Sequence, residues 1–140
     1  MSASAGRTGS TDVSRNEWRF DDASLLDALD AVSLAGAEDL GTGLDFGLIV
    51  MDRAATVLGY NAFESRLSGL PPEQVLGRNF FVDVGPCTNN YLIAERYRAD
   101  EDLDEQLDYV FTYRMAPTPV RLRLLARRGS ARQYLAVRPR

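Results

Sequence analysis

The chain has 140 residues, 45% apolar and 26% charged, the mix of one ordinary globular domain with a core large enough to be stable alone. Twenty acids against sixteen bases leave a net charge of −4; every base is an arginine, there is no histidine, and Cys87 is the one cysteine. Those absences exclude the commonest general base and metal ligand, lysine Schiff-base chemistry, a four-ligand zinc site and an internal disulfide, so no enzyme is expected.

Residues 1–17 are small and polar and are expected to form a flexible extension, without the apolar centre of a secretory signal. No stretch approaches the roughly 18 apolar residues of a membrane span, so a cytoplasmic location is expected. In "DDASLLDALDAVSLAG" (21–36) Leu25, Leu29, Val32 and Gly36 fall at helical spacing, which predicts a short amphipathic helix that must pack on something. "FGLIVMD" (46–52) and "TVLGYN" (56–61) predict two strands around a tight turn. Residues 61–77 carry Pro71 and Pro72 among glycines and predict short helical turns. "RNFFVDV" leads into the cysteine loop "GPCTNN". Residues 90–107 are the longest helical candidate, with Leu92, Ile93, Tyr97 and Leu103 facing inward.

The remainder predicts strand. Tyr109, Phe111, Tyr113 and Met115 alternate with Val110, Thr112 and Arg114. Val120, Leu122 and Leu124 face one way, Arg121 and Arg123 the other; "QYLAVR" makes a last strand. Eight arginines and no acid follow residue 113, while 99–108 holds six acids and no base. Alternation puts these arginines on a strand face, exposed to solvent or packed under an N-terminal segment, and nucleic-acid binding is not expected. The order of elements predicts an α+β domain, a five-stranded antiparallel sheet flanked by helices, with room for a ligand between them.

"YNAFE" (60–64), "GRNFFVDVGPCT" (77–88) and "YVFTYRMAPT" (109–118) together closely resemble the photoactive yellow protein family, blue-light sensors of the PAS fold. The likeness runs from about Phe46 to the last residue. It implies an N-terminal helical cap over 18–45 and a PAS core with a chromophore pocket over 46–140. It also implies p-coumaric acid bound as a thioester to Cys87, a step that needs neither histidine nor metal. Tyr60 and a protonated Glu64 match the residues that hydrogen-bond the chromophore's phenolate, and burial favours that protonated form. Ser68 matches a supporting threonine, and Leu70 replaces an arginine lid, which puts any gating by charge in doubt. Ile49, Phe80, Val84, Gly85, Pro86, Thr88, Tyr109, Phe111, Tyr113 and Met115 match pocket-lining positions; the family usually has alanine at 85. The implied cycle is photoisomerisation, proton transfer from Glu64 and partial unfolding of the cap.

Blander readings exist for each. A lone cysteine is commonly an inert buried residue, Asn61 and Glu64 could form a helix capping box, and the 109–115 stripe could be plain core. A PAS domain binding flavin or another small ligand without a covalent bond is the alternative function. The expected chain is a monomer with an unknown signalling partner and no membrane association.

Overall fold

The computed structural model describes residues 18–32, 36, 39–113 and 116–140, with only the backbone given for Tyr113 and Ala116. Short helix α1 (Leu25–Asp30) precedes a hairpin of β1 (Gly47–Asp52) and β2 (Val57–Tyr60). Next come α2 (Ala62–Ser68), a 3₁₀ turn (Pro72–Gln74), a π-helical turn (Phe80–Val84), a second 3₁₀ turn (Pro86–Thr88) and α3 (Ala94–Arg98). Strands β3 (Leu103–Tyr113), β4 (Ala116–Ala126) and β5 (Arg132–Pro139) complete an antiparallel sheet of order β2-β1-β5-β4-β3. This is the expected α+β architecture, a five-stranded antiparallel sheet flanked by helices.

The unbroken apolar run of β1 has a simple cause: the strand is buried on both faces. Ile49 and Met51 enter the front core, Leu48 and Val50 the back core. β4 alternates as its sequence demands, with Val120, Leu122 and Leu124 in front and Arg123 and Leu125 behind. The β1–β2 turn is held by Asp52, whose Oδ1 accepts from the backbone N–H of Ala54 and Thr56, both at 2.9 Å.

One expectation fails. Helix does not run through 90–107: α3 ends at Arg98, and 103–107 begin the eleven-residue β3. In "LDEQLDYVF" the inward set is Leu103, Leu107, Tyr109 and Phe111 at period two, and a run of acids hid that alternation. Ile93, Tyr97 and Leu103 are buried as expected, but Leu92 is 44% exposed.

The back face is covered by the N-terminal segment. Phe20, Leu25, Leu29, Leu40 and Leu44 pack on Leu48, Val50, Leu125, Tyr134 and Ala136. Arginines then tie this layer down by its main chain. Buried Arg123 donates through Nη1 to the carbonyls of Phe20 (2.8 Å) and Asp22 (2.7 Å), and its Nε and Nη2 hold Asp104 at 2.8 and 2.9 Å. Arg132 donates to the carbonyls of Leu29 and Asp30, both at 3.3 Å, and of Val32, serving the C-terminal end of α1. The Arg138 guanidinium lies 4.6 Å from the Phe20 ring centroid.

Candidate functional site

The front face gathers the sequence-selected residues. Tyr60 closes β2 opposite Ile49, and Asn61 begins α2. The Asn61 Oδ1 accepts from Glu64 N–H at 3.0 Å, so the expected N-cap forms. The same carboxamide also accepts from Leu48 N–H (3.0 Å) and donates to the carbonyls of Gly41 (3.0 Å) and Phe46 (2.9 Å). Cap and buried-carboxyl readings of Glu64 are therefore compatible, because the cap uses its N–H and leaves the carboxyl to point elsewhere.

That carboxyl is fully buried against β1. A Cβ placed on Gly47 would fall 2.1 Å from the Glu64 Oε1, so glycine at this strand position is what makes room. Sequence reading passed over Gly47; its signal was a glycine opening an otherwise apolar run. One helical turn on, buried Ser68 places its Oγ 2.8 Å from the Tyr60 hydroxyl and accepts Leu70 N–H at 3.1 Å. Burial pushes the Tyr60 hydroxyl pKa well above its ordinary value, Glu64 pushes further the same way whenever its carboxyl is ionised, and the Ser68 hydrogen bond opposes them.

The cysteine loop is built on Asn79, whose Oδ1 accepts from Phe81 and Val82 N–H, both at 3.0 Å, and starts the π-helical turn. Gly85 N–H returns to the Phe80 carbonyl at 2.8 Å and closes it. A Cβ on Gly85 would lie 2.9 Å from the tip of the buried Phe80 ring, so the ring occupies space that an alanine methyl would need. Thr88, also buried, donates its hydroxyl to the Gly85 carbonyl at 2.6 Å. Half-buried Cys87 sits in the following turn, its side chain packed on the front core. Its carbonyl accepts from the Tyr109 hydroxyl (2.5 Å) and the Asn90 carboxamide (3.0 Å), which also donates to that hydroxyl at 2.8 Å. Asn90 is a second residue that motif reading missed.

Ile49, Tyr60, Phe80 and Phe111 are thus buried in one cluster, and Leu70, Val84, Cys87 and Tyr109 pack on it half-buried. Pro86 is exposed. The Tyr113 side chain and Met115 lie outside the described residues. A groove of about 480 Å³ runs beside the cluster, lined by Leu70, Val75 and Val84 with Glu73, Gln74, Arg78 and Asp83. The donor set suits an elongated aromatic ligand: an apolar, aromatic wall, a buried hydroxyl pair beside a buried carboxyl, and a thiol able to form a bond. Among the described residues no helix is long and apolar enough to cross a membrane.

No family model matches the chain. It is 43% identical over 84 residues to the photoactive yellow protein of Rhodothalassium salexigens, covering 58% of this chain and 67% of that one. Against the photoactive yellow protein of Halochromatium salexigens it is 40% identical over 96 residues, 66% of this chain and 77% of that one. The solved photoactive yellow protein domain of the sensor histidine kinase Ppr from Rhodospirillum centenum superposes with a TM-score of 0.67 at 35% identity, covering 81% and 98% of the two chains. Solved PAS domains far below that identity share the fold alone.

Proposed function

The chain belongs to the photoactive yellow protein family, and from that premise we propose that it is a blue-light photoreceptor carrying p-coumaric acid as a thioester on Cys87. One observation supports this above the others: a buried tyrosine, carboxyl and serine share the front core with the one thiol of the chain. Bound there, the group would supply a double bond that light isomerises and a phenol oxygen that exchanges a proton.

The chain's own residues divide the remaining work. The Cys87 sulfur would hold the acyl group, in a loop whose Cys87 carbonyl is fixed by Tyr109 and Asn90. Tyr60 and Glu64 would hold the phenol oxygen, with Ser68 positioning the tyrosine hydroxyl. Full burial beside Gly47 favours the neutral carboxyl of Glu64 in the dark. Once that proton leaves, a carboxylate stands in an apolar core at a cost of several kcal/mol. We place the relief in the cap, residues 18–45, which Asn61 joins to α2 through the Gly41 carbonyl. Leu70 itself brings no charge to the groove it lines, in place of the arginine that the family carries there.

The test is reconstitution of the apo-chain with activated p-coumaric acid, with Cys87→Ala and Glu64→Gln alongside. A visible band that bleaches under blue light and returns in the dark is expected for the parent chain and absent in Cys87→Ala. Glu64→Gln should keep a band but lose the protonation change. A fluorescent flavin spectrum, or a chain that stays colourless, would overturn the assignment.

A further inference from the structure

The half-buried Asn90 side chain makes all four hydrogen bonds open to a carboxamide. Its Oδ1 accepts from the backbone N–H of Leu92 (2.9 Å) and Ile93 (3.1 Å). Its Nδ2 donates to the Tyr109 hydroxyl (2.8 Å) and to the Cys87 carbonyl (3.0 Å). Backbone N–H groups can only donate, so the two at Leu92 and Ile93 fix which end of the amide faces which way. Nδ2 therefore points at Tyr109, and the hydroxyl that receives its hydrogen sends its own proton onward. That proton goes to the Cys87 carbonyl, 2.5 Å away. Every hydrogen in this ring of three residues has one direction.

Both ends of the ring are anchored. Ile93 is fully buried in the front core, and the Asn90 carbonyl accepts from Glu95 N–H at 3.1 Å in the lead-in to α3. The Tyr109 ring, on β3, lies edge-on to buried Phe111 with centroids 6.0 Å apart. Two donors on one carbonyl thus hold the Cys87 peptide between a helix start and a strand. With that peptide plane fixed, the Cα–Cβ bond that carries the sulfur takes a fixed direction too.

An acyl donor with a rigid planar tail reacts only where its carbonyl carbon and the thiol are brought into line, whereas a small thiol reagent can approach from any open side. We propose that Asn90 is the positioning residue of the thioester site, acting through Tyr109 and the Cys87 carbonyl to aim the thiol at the acyl carbon of p-coumaric acid. This role rests on the photoreceptor reading and adds to it a residue outside the pocket wall. In the step it serves, the Cys87 thiol gives its proton to solvent and the sulfur forms a bond to the carbonyl carbon of an anhydride. The carboxylate of p-coumaric acid leaves with the electron pair of the broken C–O bond. Asn90 touches none of the reacting atoms, and no proton passes through it.

The testing variant is Asn90→Asp in the full chain. Aspartate keeps an acceptor for the Leu92 and Ile93 N–H groups, so the lead-in to α3 keeps its cap, but an ionised carboxyl has no hydrogen to donate. Its second oxygen accepts the Tyr109 proton and draws it off the Cys87 carbonyl. Acylation of Cys87 by the anhydride of p-coumaric acid and alkylation by iodoacetamide are timed in parallel, because a change in thiolate fraction scales both alike. The ratio of acylation to alkylation should fall about tenfold. Tyr109→Phe should lower it by a similar factor, and the double variant should be no worse than either, since both cut one chain of bonds. Without any acyl group, the Cys87 carbonyl carbon resonance should move upfield in both variants while the Ile93 amide stays protected from exchange. Should Asn90→Asp lose that protection, Tyr109→Phe carries the test alone. An unchanged ratio, or factors that multiply in the double variant, would overturn the proposal and leave chromophore attachment standing. A parent chain that alkylates but never acylates would overturn it together with the photoreceptor reading.

Discussion

The two faces of the sheet solve the same problem in different ways. Each buries polar groups, but in front the bonds at the site run through neutral carboxamides and hydroxyls, such as Tyr60 to Ser68 and Thr88 to Gly85, with a carboxyl fully enclosed. Behind, guanidinium groups reach main-chain carbonyls of the N-terminal segment. A hydroxyl can turn from acceptor to donor, and a carboxyl can gain or lose a proton, so hydrogen bonding in front can change with a single proton. A guanidinium keeps its charge and its donors at any accessible pH. The back therefore behaves as a clamp, and the front as a place where one proton matters.

The largest test of that contrast is Arg123→Leu. It strips the donor from the Phe20 and Asp22 carbonyls, and two acceptors left unmet should cost about 2 to 6 kcal/mol, while half-exposed Asp104 is rehydrated at little cost. Hydrogen exchange should quicken over residues 20–32 while β1 and β2 stay protected. Uniform loss of protection would show that the two faces do not separate.

Asn61→Ala should follow at about 2 to 4 kcal/mol in urea unfolding. It removes an N-cap and leaves Leu48 N–H and the Gly41 and Phe46 carbonyls without that partner. A cost below about 1 kcal/mol would reduce Asn61 to an ordinary cap.

Alkaline pH cuts across both faces. Burial is the main cause that raises the pKa values of Tyr60, Tyr97 and Tyr134. The folded values lie above the unfolded one near 10, so their contribution is intact below about pH 10 and is lost as pH rises beyond it. Each tyrosine should remove about 1.4 kcal/mol per pH unit there. Tyr60→Phe and Tyr97→Phe should each flatten the slope of unfolding free energy against pH between 10 and 11.5; a slope that neither changes would contradict the assignment.

Gly85→Ala is the mildest change, at about 1 to 3 kcal/mol for overpacking against Phe80. A crystal structure of the variant should show the Phe80 ring displaced. An unmoved ring would mean that the loop backbone yields instead.

Much of the front was legible because its signals are local. Asn61 lies three residues before Glu64, Tyr60 eight before Ser68, and the β4 alternation sits in six consecutive residues. The back was legible only as a pattern. An arginine face packed under an N-terminal segment can be anticipated from alternation, but that Arg123 meets Phe20, 103 residues away, cannot. Gly47 was missed for the same reason: its value depends on a side chain arriving from another element. The start of β3 failed differently, since Ile93 and Tyr97 set up a helical spacing that the acids after Arg98 seemed to continue.

Arg123 and Arg132 grip carbonyl oxygens, and every residue has one. The sheet is thus indifferent to much of the sequence it holds, asking for apolar side chains at a few depths and a backbone path of the right shape. A foreign helix grafted in place of residues 24–31, with leucines kept at 25 and 29, should be captured by the same two arginines. The layer over the back of the sheet is in that sense an exchangeable part, open to replacement without redesign of the domain beneath it.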